Sequence, residues 1–380
     1  MPTSALDRLK VLDLTHYVAG PYCTKLLADY GADVIKVERP GAGDGARHIG
    51  PFHKDTPHLE KSGLFLYLNT NKRSITLNLK SRAGVNIFRE LVKWADLVVE
   101  NFRPAVMPRL GLDYDTLERI NPRLVMTSIS NFGQTGPYRD YKAEEVIPYA
   151  FSGLMHATGV PEREPLRMGG NMVQYQAGST AAFYSLLALH ASEIQGKGEH
   201  VDLSITEVQV GSIDRNGPML LAYQYTGKWT NRGHQRREGG GDFVFRCKDG
   251  YINILPYGEF VPRALEMIGR PELKEDPLFA NVEWLSNQET AEAFHNLFDP
   301  WLLEHSVKEV WIEAQRAHLL SGPLYTSEKL SWDPNFVGRG YWDEVERPYV
   351  GKLTYPGRPF VMYGCPRTLT RCAPTLGEHN

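Results

Sequence analysis

Cationic and amide side chains follow several short apolar segments in the N-terminal part of the chain. In chain order they are His16, Arg39, Lys80, Asn101 and Arg103, with Arg109 shortly after. If the segments are parallel strands of one open sheet, their carboxyl ends meet at the edge where such sheets bind ligands. Cations there suit phosphate groups, and Phe102 can pack on an aromatic ring. The pattern favours a polyanionic ligand with an aromatic part, although a lone histidine is also common as a structural residue.

These segments alternate with helical patterns. Branched or alternating apolar runs predict strands at residues 9–14, 34–37, 75–79, 97–100, 124–130 and 200–205. Helical spacing of apolar residues predicts helices at residues 21–30, 81–95, 143–159 and 176–194. Strands separated by helices indicate an α/β fold, with a doubly wound layer around a mostly parallel sheet.

The composition changes near Gly211. A polar, glycine-rich segment at residues 227–241 precedes predicted strands at residues 243–245 and 251–254, and amphipathic helices follow. We therefore predict three parts, which are a large domain at residues 1–214, a smaller α+β domain at residues 215–325 and a C-terminal segment at residues 326–380 that returns to the large domain.

Two glycine-rich segments can be interpreted either as functional loops or as ordinary surface turns. Residues 41–46, GAGDGA, match the GxGxxA pattern of dinucleotide sites, but they follow the second predicted strand instead of the first. We therefore reject a nicotinamide cofactor and predict a mobile surface loop. The run of Gly239, Gly240 and Gly241 has high backbone freedom, which is equally compatible with a hairpin tip and with a lid over an active site.

The composition excludes several classes of protein. The 380 residues have a formal net charge of −3, which provides no electrostatic footprint for nucleic acid. No run approaches the ~20 apolar residues of a membrane span, and residues 1–10 lack the apolar core of a signal peptide. The cysteines show no metal-binding spacing, so we expect reduced thiols, no metal and a cytoplasmic location.

Three sequence runs show a family resemblance: VLDLTHYVAGPYCTKLLADYGADVIKVERPGAGD, ADLVVENFRPAVMPRLGLDYDTL and NPRLVMTSISNFGQTGPY. They resemble the family III CoA-transferases, which include formyl-CoA and carnitine CoA-transferases. The resemblance extends over nearly the whole chain. It implies an α/β fold with a Rossmann-like large domain and a smaller domain, two chains interlocked in a dimer, and CoA as the bound cofactor-substrate.

The resemblance also implies, position by position, which residues contact CoA. They are His16, Val18, Ala19, Arg39, Leu77, Lys80, Asn101, Phe102, Arg103, Arg109 and Lys142. The family's glycine loop, which shields the reaction from water, corresponds to Gly239, Gly240 and Gly241. Candidates for the acyl pocket are His156, Tyr149, Met155 and Arg167.

One position departs from the family pattern. In this family an Asp carboxylate attacks the thioester carbonyl of an acyl-CoA, which gives a mixed anhydride and a free CoA thiolate. That Asp lies four residues before the glycine of a long apolar helix, here Gly178, so Gln174 occupies its position. A neutral amide cannot form the anhydride. Glu145 corresponds to an assisting acid, and Glu144 and Asp242 are acids we expect to be helpers or solvated surface groups.

The resemblance therefore implies a CoA-transferase subunit without its own nucleophile. Its partner would be a paralogous subunit with the Asp, as in the heteromeric succinyl-CoA:benzylsuccinate CoA-transferase. The pair would move CoA between an acyl-CoA, with succinyl-CoA as the family-level expectation, and a carboxylic acid. Two alternatives stay open: a CoA-binding protein without catalysis, and an engineered Asp→Gln variant of an active homodimer. A racemase is disfavoured because Glu144 and Gln174 replace its His and Asp bases.

Overall fold

The computed structural model describes residues 4–159, 162–211, 216–229, 243–256, 258–280, 288–365 and 371–380. The chain divides into two compact units. Unit 1 comprises Met1–Thr158, Pro165–Trp229 and Gly338–Asn380, and unit 2 comprises Gly159–Glu164 and Thr230–Val337. The domain limits expected from the sequence stay a prediction.

Unit 1 is built around a parallel sheet of six strands. They are β1 (Lys10–Asp13), β2 (Asp33–Glu38), β3 (Arg73–Thr76), β4 (Leu97–Glu100), β5 (Val125–Ser130) and β6 (Glu199–Ser204). Their order across the sheet is β3-β2-β1-β4-β5-β6, and all neighbours are parallel. The order reverses between β1 and β4, which creates the switch point where open α/β sheets bind ligands. The predicted Rossmann-like, doubly wound layer is confirmed.

Helices lie between these strands or follow β6 in the chain. They are α1 (Ala19–Asp29), α2 (Gly63–Leu68), α3 (Arg82–Trp94), α4 (Val106–Leu110), α5 (Tyr114–Glu118), α6 (Val146–Phe151), α7 (Met172–Gln195), α8 (Ile205–Val210) and α9 (Asn216–Thr226). The predicted start of α3 is confirmed, because Ser81 Oγ accepts the Gly84 N–H at 3.1 Å. The helix predicted at residues 143–159 was wrong in extent. α6 ends at Phe151, and Gly153 then adopts a φ of 88° that does not continue a helix.

The sheet is buried on both faces because its strands alternate between two cores. Val11 packs with residues of α1 and α7, whereas Leu12 packs on the opposite side with residues of α3 such as Phe88. Each fully buried side chain of this kind contributes about 1.5–3 kcal/mol. α7 lies very close to α1, since a Cβ added at Gly178 would be 2.5 Å from the Ala19 carbonyl oxygen.

A buried charge cluster connects the C-terminal part of unit 1 to β2. Arg47 donates to both carboxylate oxygens of Glu38 at 2.8 Å and to Glu60 at 2.9 Å. Arg347 donates to Glu60 at 2.6 Å, and both guanidinium groups donate to the Pro374 carbonyl oxygen. Together, these charge-assisted hydrogen bonds hold the C-terminal end of the chain against the sheet.

The C-terminal part of unit 1 contains a hairpin formed by β10 (Trp342–Arg347) and β11 (Gly351–Pro356). Unit 2 contains an antiparallel sheet of β7 (Val244–Cys247), β8 (Gly250–Ile254) and β9 (Ser321–Pro323). Among the described residues between 259 and 340, the helices are α10 (Val261–Met267), α11 (Pro277–Ala280), α12 (Gln288–Glu304), α13 (Val307–Arg316), α14 (Ser327–Trp332) and α15 (Pro334–Gly338). Phe245, Phe294 and Phe298 form the centre of the apolar core of unit 2.

Candidate functional site

A cavity of about 560 Å³ lies at the carboxyl ends of β1 to β4. Its volume falls within the range of small-molecule sites. It is lined by Leu14, His16, Tyr17, Val37, Glu38, Arg39, Pro40, Leu77, Asn78, Leu79, Lys80, Asn101, Phe102, Val106 and Leu110. The structure therefore brings six of the sequence-predicted site residues together, namely His16, Arg39, Leu77, Lys80, Asn101 and Phe102.

The cavity combines an apolar wall with two cations. Leu14, Val37 and Phe102 are on the wall, whereas the side chains of Arg39 and Lys80 are exposed to solvent. Neither cation forms an ion pair with another described residue. An apolar surface beside such cations suits a ligand with both a hydrophobic part and phosphate groups.

The remaining predicted contact residues lie outside this cavity. Val18 and Ala19 are buried where α1 begins. Arg103 and Arg109 are exposed beyond β4, and Arg109 Nε donates to the Ala105 carbonyl oxygen at 2.9 Å. Lys142 is exposed on the connection between β5 and α6. Their contact with a ligand stays a prediction.

Two turns of the cavity wall hold each other in place. The His16 N–H donates to Asn101 Oδ1 at 2.8 Å, and Asn101 Nδ2 donates to the His16 carbonyl oxygen at 2.8 Å. The His16 and Phe102 rings lie 5.6 Å apart between centroids. Asn101 therefore supports the turn after β1, a role that sequence reasoning did not distinguish from ligand binding.

Buried charges lie directly beneath the cavity. Lys36 Nζ is 2.9 Å from Asp44 Oδ2, and Lys72 Nζ is 3.0 Å from Asp13 Oδ2. Burial acts to raise the pKa of Asp13, but the charges of Lys36 and Lys72 lower it to about 2. Burial lowers the pKa of Lys72 to about 8. The sequence signal for this network is a charged residue inside an apolar strand, as in VLDL and VIKV.

Residues 41–46 are not a surface loop throughout, so that prediction was wrong. The side chains of Asp44 and Ala46 are fully buried. Asp44 Oδ1 accepts the N–H groups of Tyr17 at 2.9 Å and Ala46 at 2.8 Å. The glycines allow the chain to turn so that Asp44 reaches Lys36 instead of solvent.

Glu100 ends β4 beneath the same wall. Its Oε2 accepts the Phe102 N–H at 2.8 Å, and the Ser128 hydroxyl also donates to its carboxylate. Burial outweighs these bonds and raises the pKa of Glu100 to about 7. Ser128 Oγ also lies 2.9 Å from His200 Nε2. Sequence reasoning missed Glu100, although an acid at the end of an apolar strand was visible.

Gln174 and Glu145 meet at the N-terminus of α7. Gln174 lies in the first turn of α7, and Glu145 is half-buried before α6. The Glu145 carboxylate accepts the N–H of Val173 at 2.8 Å and of Gln174 at 3.2 Å. A carboxylate at this position is favoured by the helix dipole. Burial still raises the pKa of Glu145 above its usual range, against the effect of both bonds.

The candidate acyl-pocket residues differ in burial. Tyr149 is buried, and its hydroxyl lies 2.7 Å from Thr158 Oγ1. Met155 packs against the core of unit 1, and the His156 ring lies 5.5 Å from that of Trp229. Arg167 is exposed. Their contact with an acyl group stays a prediction.

The expected glycine loop is not among the residues that the structure describes. Gly239, Gly240 and Gly241 lie outside the described ranges, and so does the neighbouring acid Asp242. The assignment of a shielding loop to these glycines therefore stays a prediction.

An open parallel sheet with a cation-bearing cavity at its switch point defines an α/β protein of the nucleotide-binding architecture. The particular family follows from comparison with known proteins. Residues 6–380 match the family model described as CoA-transferase family III. The chain therefore belongs to CoA-transferase family III, whose members are enzymes with CoA thioesters as substrates.

Known relatives support this membership over the full length. The chain is 40% identical to acetyl-CoA:oxalate CoA-transferase from Acetobacter aceti, over 94% of this chain and 95% of that protein. It is 33% identical to succinyl-CoA:(R)-benzylsuccinate CoA-transferase subunit BbsE from Thauera aromatica, over 98% of this chain and 92% of that protein. A CAIB/BAIF family protein from Brucella suis has a similar structure, with a TM-score of 0.86, 29% identity and 99% and 97% covered.

The described residues contain neither a cluster of metal-binding side chains nor a membrane-spanning helix. No group of three or more His, Cys, Asp or Glu side chains that could hold a metal ion occurs among them. Within the same ranges, no helix has the length and apolar character needed to cross a membrane.

Proposed function

We propose that the cavity at the carboxyl ends of β1 to β4 binds the CoA part of the substrate. The observation that supports this most is the presence of two exposed cations, Arg39 and Lys80, at the rim of an apolar wall. CoA has phosphate groups that suit these cations and a purine ring that can pack beside Phe102. His16, Val18, Ala19, Leu77, Asn101, Arg103, Arg109 and Lys142 are the further contacts we propose from the family pattern.

We further propose that this chain is the subunit without the nucleophile in a heteromeric CoA-transferase. Transfer needs a carboxylate oxygen whose electron pair attacks the thioester carbonyl and expels the CoA thiolate. The Gln174 amide at the proposed position is neutral, and its oxygen is a poor nucleophile. The neighbouring Glu145 carboxylate is already engaged by two N–H groups of α7, which fits an orienting role better than a nucleophilic one.

The partner we propose is a paralogous chain with Asp at the position of Gln174. The relative BbsE is named as one subunit of its enzyme, which is consistent with such a division of roles. α7 exposes large apolar side chains, among them Phe183, Tyr184 and Leu187, which a second chain would bury in an interlocked pair. The substrates would be an acyl-CoA, with succinyl-CoA as the first donor to test, and a carboxylic acid.

The cytoplasm is the compartment we propose for this enzyme. Cys23, Cys247, Cys365 and Cys372 are all free thiols in the structure, and Cys23 and Cys247 are buried. Free thiols are usual in a reducing compartment.

The test compares the purified chain with the chain co-expressed with its Asp-bearing paralogue. We expect the chain alone to bind CoA without exchanging it between succinyl-CoA and a free acid, and the pair to exchange it. Turnover by the chain alone at ~1 per second or faster, with a covalent CoA adduct, would contradict the proposal. CoA binding without activity in any pairing would instead favour a binding protein without catalysis.

A gain-of-function variant tests the same assignment in this chain alone. Gln174→Asp places a carboxylate at the start of α7. With succinyl-CoA as the donor, we expect this carboxylate to become a CoA thioester on the polypeptide, with release of succinate, and intact-mass spectrometry detects the adduct. Gln176→Asp, two residues further on an exposed face, is the matched control and should form none. A coding sequence with Asp at position 174 in the source genome would show that Gln174 is an engineered replacement in an active homodimer.

A further inference from the structure

We propose that Tyr17 is an additional CoA-contacting residue whose ring is positioned by Asp44 and Gly45. This inference rests on the proposed CoA site. The family pattern and the sequence patterns did not single out Tyr17, and the loop of residues 41–46 had no role in the function described so far. In the structure, Tyr17 and this loop are in contact beside the cavity.

The backbone of Tyr17 has a conformation that a tyrosine rarely adopts. Its φ is 67°, in the left-handed region. A non-glycine residue in that region is strained, and the strain persists only where the surroundings enforce it. Here the Tyr17 N–H donates to Asp44 Oδ1 at 2.9 Å, and the preceding His16 N–H donates to Asn101 Oδ1 at 2.8 Å. The turn is therefore held from two sides.

Asp44 is a rigid anchor for this turn. It is fully buried, its Oδ2 lies 2.9 Å from Lys36 Nζ, and its own N–H donates to Glu38 Oε2 at 2.9 Å. The Ala46 N–H occupies Asp44 Oδ1 together with that of Tyr17. Because of these partners, the Asp44 carboxylate has a single orientation, and it fixes the position of the Tyr17 backbone N–H.

Gly45 determines where the ring of Tyr17 lies. A Cβ added at Gly45 would be 2.5 Å from two ring carbons of Tyr17 and 2.8 Å from its hydroxyl oxygen. The ring therefore occupies the space that any other residue at this position would fill. Gly45 has no positive φ, so the need for glycine here is the space for the ring and not the backbone.

The strain at Tyr17 is not compensated by burial of its side chain. Its exposed fraction is 53%, and its ring lines the cavity next to His16, with ring centroids 6.5 Å apart. His16 in turn neighbours Phe102. Three rings thus form one side of the cavity, a surface that suits flat or apolar parts of CoA. A bound ligand would bury the ring that folding leaves exposed.

The experiment measures CoA affinity by isothermal titration for four variants of the full chain. We expect Tyr17→Ala to weaken binding about tenfold, and Tyr17→Phe to bind within about twofold of the parent, because the ring is retained. We expect Gly45→Ala to weaken binding at least about threefold by displacing the ring. In the Tyr17→Ala background, Gly45→Ala should have no further effect, because no ring remains to be displaced.

Several results would overturn the inference. If Tyr17→Ala and the parent bind CoA with equal affinity, Tyr17 does not contact CoA. If Gly45→Ala lowers CoA affinity by the same factor in the Tyr17→Ala background, Gly45 affects binding through the backbone and not through the Tyr17 ring. Thermal unfolding of each variant excludes general destabilisation, and Tyr17→Ala, whose residue is half-exposed, remains informative if Gly45→Ala fails to fold. A parent chain that does not bind CoA would contradict the proposed function itself, which separates the two failures.

Discussion

Charged side chains of two kinds lie at the carboxyl edge of the sheet in unit 1. Lys36 and Asp44 are fully buried and form an ion pair at 2.9 Å, whereas Arg39 and Lys80 are exposed and form no ion pair with another described residue. The first pair holds the chain in its turns, and the second is available to a ligand. Charges that are close in sequence, such as Lys36 in β2 and Arg39 directly after it, can therefore serve different purposes according to burial.

We expect the largest loss of stability when the buried pair of Lys36 and Asp44 is broken. Asp44→Ala leaves Lys36 charged and without its closest carboxylate, and we expect a loss of about 3–5 kcal/mol in unfolding free energy. The charge of Lys36 lowers the pKa of Asp44 against the effect of burial, so the stabilisation is present at neutral pH. The difference from the parent should shrink as the pH falls below the ordinary value of 3.8.

Denaturant unfolding at several pH values measures this effect. Asp33→Ala is the control, since Asp33 pairs with Arg73 at 2.6 Å but is 44% exposed on its side chain. We expect its loss to stay below about 1 kcal/mol. An equal loss in both variants would mean that burial does not separate the two kinds of charge.

A smaller effect is expected at Glu100, a buried acid that forms no ion pair with another described residue. The folded protein holds its pKa at about 7, above the ordinary value of 4.5, so the folded state binds a proton that the unfolded state releases. Stability should therefore fall as the pH rises from 4.5 to 7. Glu100→Gln removes this dependence and should gain on the order of 3 kcal/mol relative to the parent between pH 4.5 and pH 8.

The measurement is again denaturant unfolding, with the difference between Glu100→Gln and the parent plotted against pH. Glutamine can still accept the Phe102 N–H, so the turn that lines the cavity should persist. A difference that does not change across this pH range would show that Glu100 is ionised in the folded protein at low pH.

The smallest effect on stability is expected at the exposed cations. Arg39→Ala should weaken CoA binding about tenfold while changing the unfolding free energy by less than about 0.5 kcal/mol. Lys93→Ala is the matched control, because Lys93 is exposed and pairs only with the neighbouring acid Glu90 among described residues. It should leave CoA affinity unchanged. A clear loss of stability in Arg39→Ala would show that Arg39 has a structural role, like the buried charges.

Much of the fold was predictable because local patterns reflect burial. Residues 9–14 and 34–37 are apolar runs, and both became strands of the parallel sheet with helices on both faces. The strand ends then placed His16, Arg39, Lys80 and Asn101 around one cavity. The helix predicted at residues 143–159 failed because apolar spacing alone does not reveal where a glycine such as Gly153 turns the chain.

The family and the alternation of strands and helices are visible in the order of the amino acids alone. These depend on residue types and short spacings, which the chain shows directly. Three-dimensional packing brings Asp44 to Lys36 beneath the cavity and holds Tyr17 in a left-handed turn over Gly45. Such partners belong to different strands and loops, and they meet only when strand order and register are set.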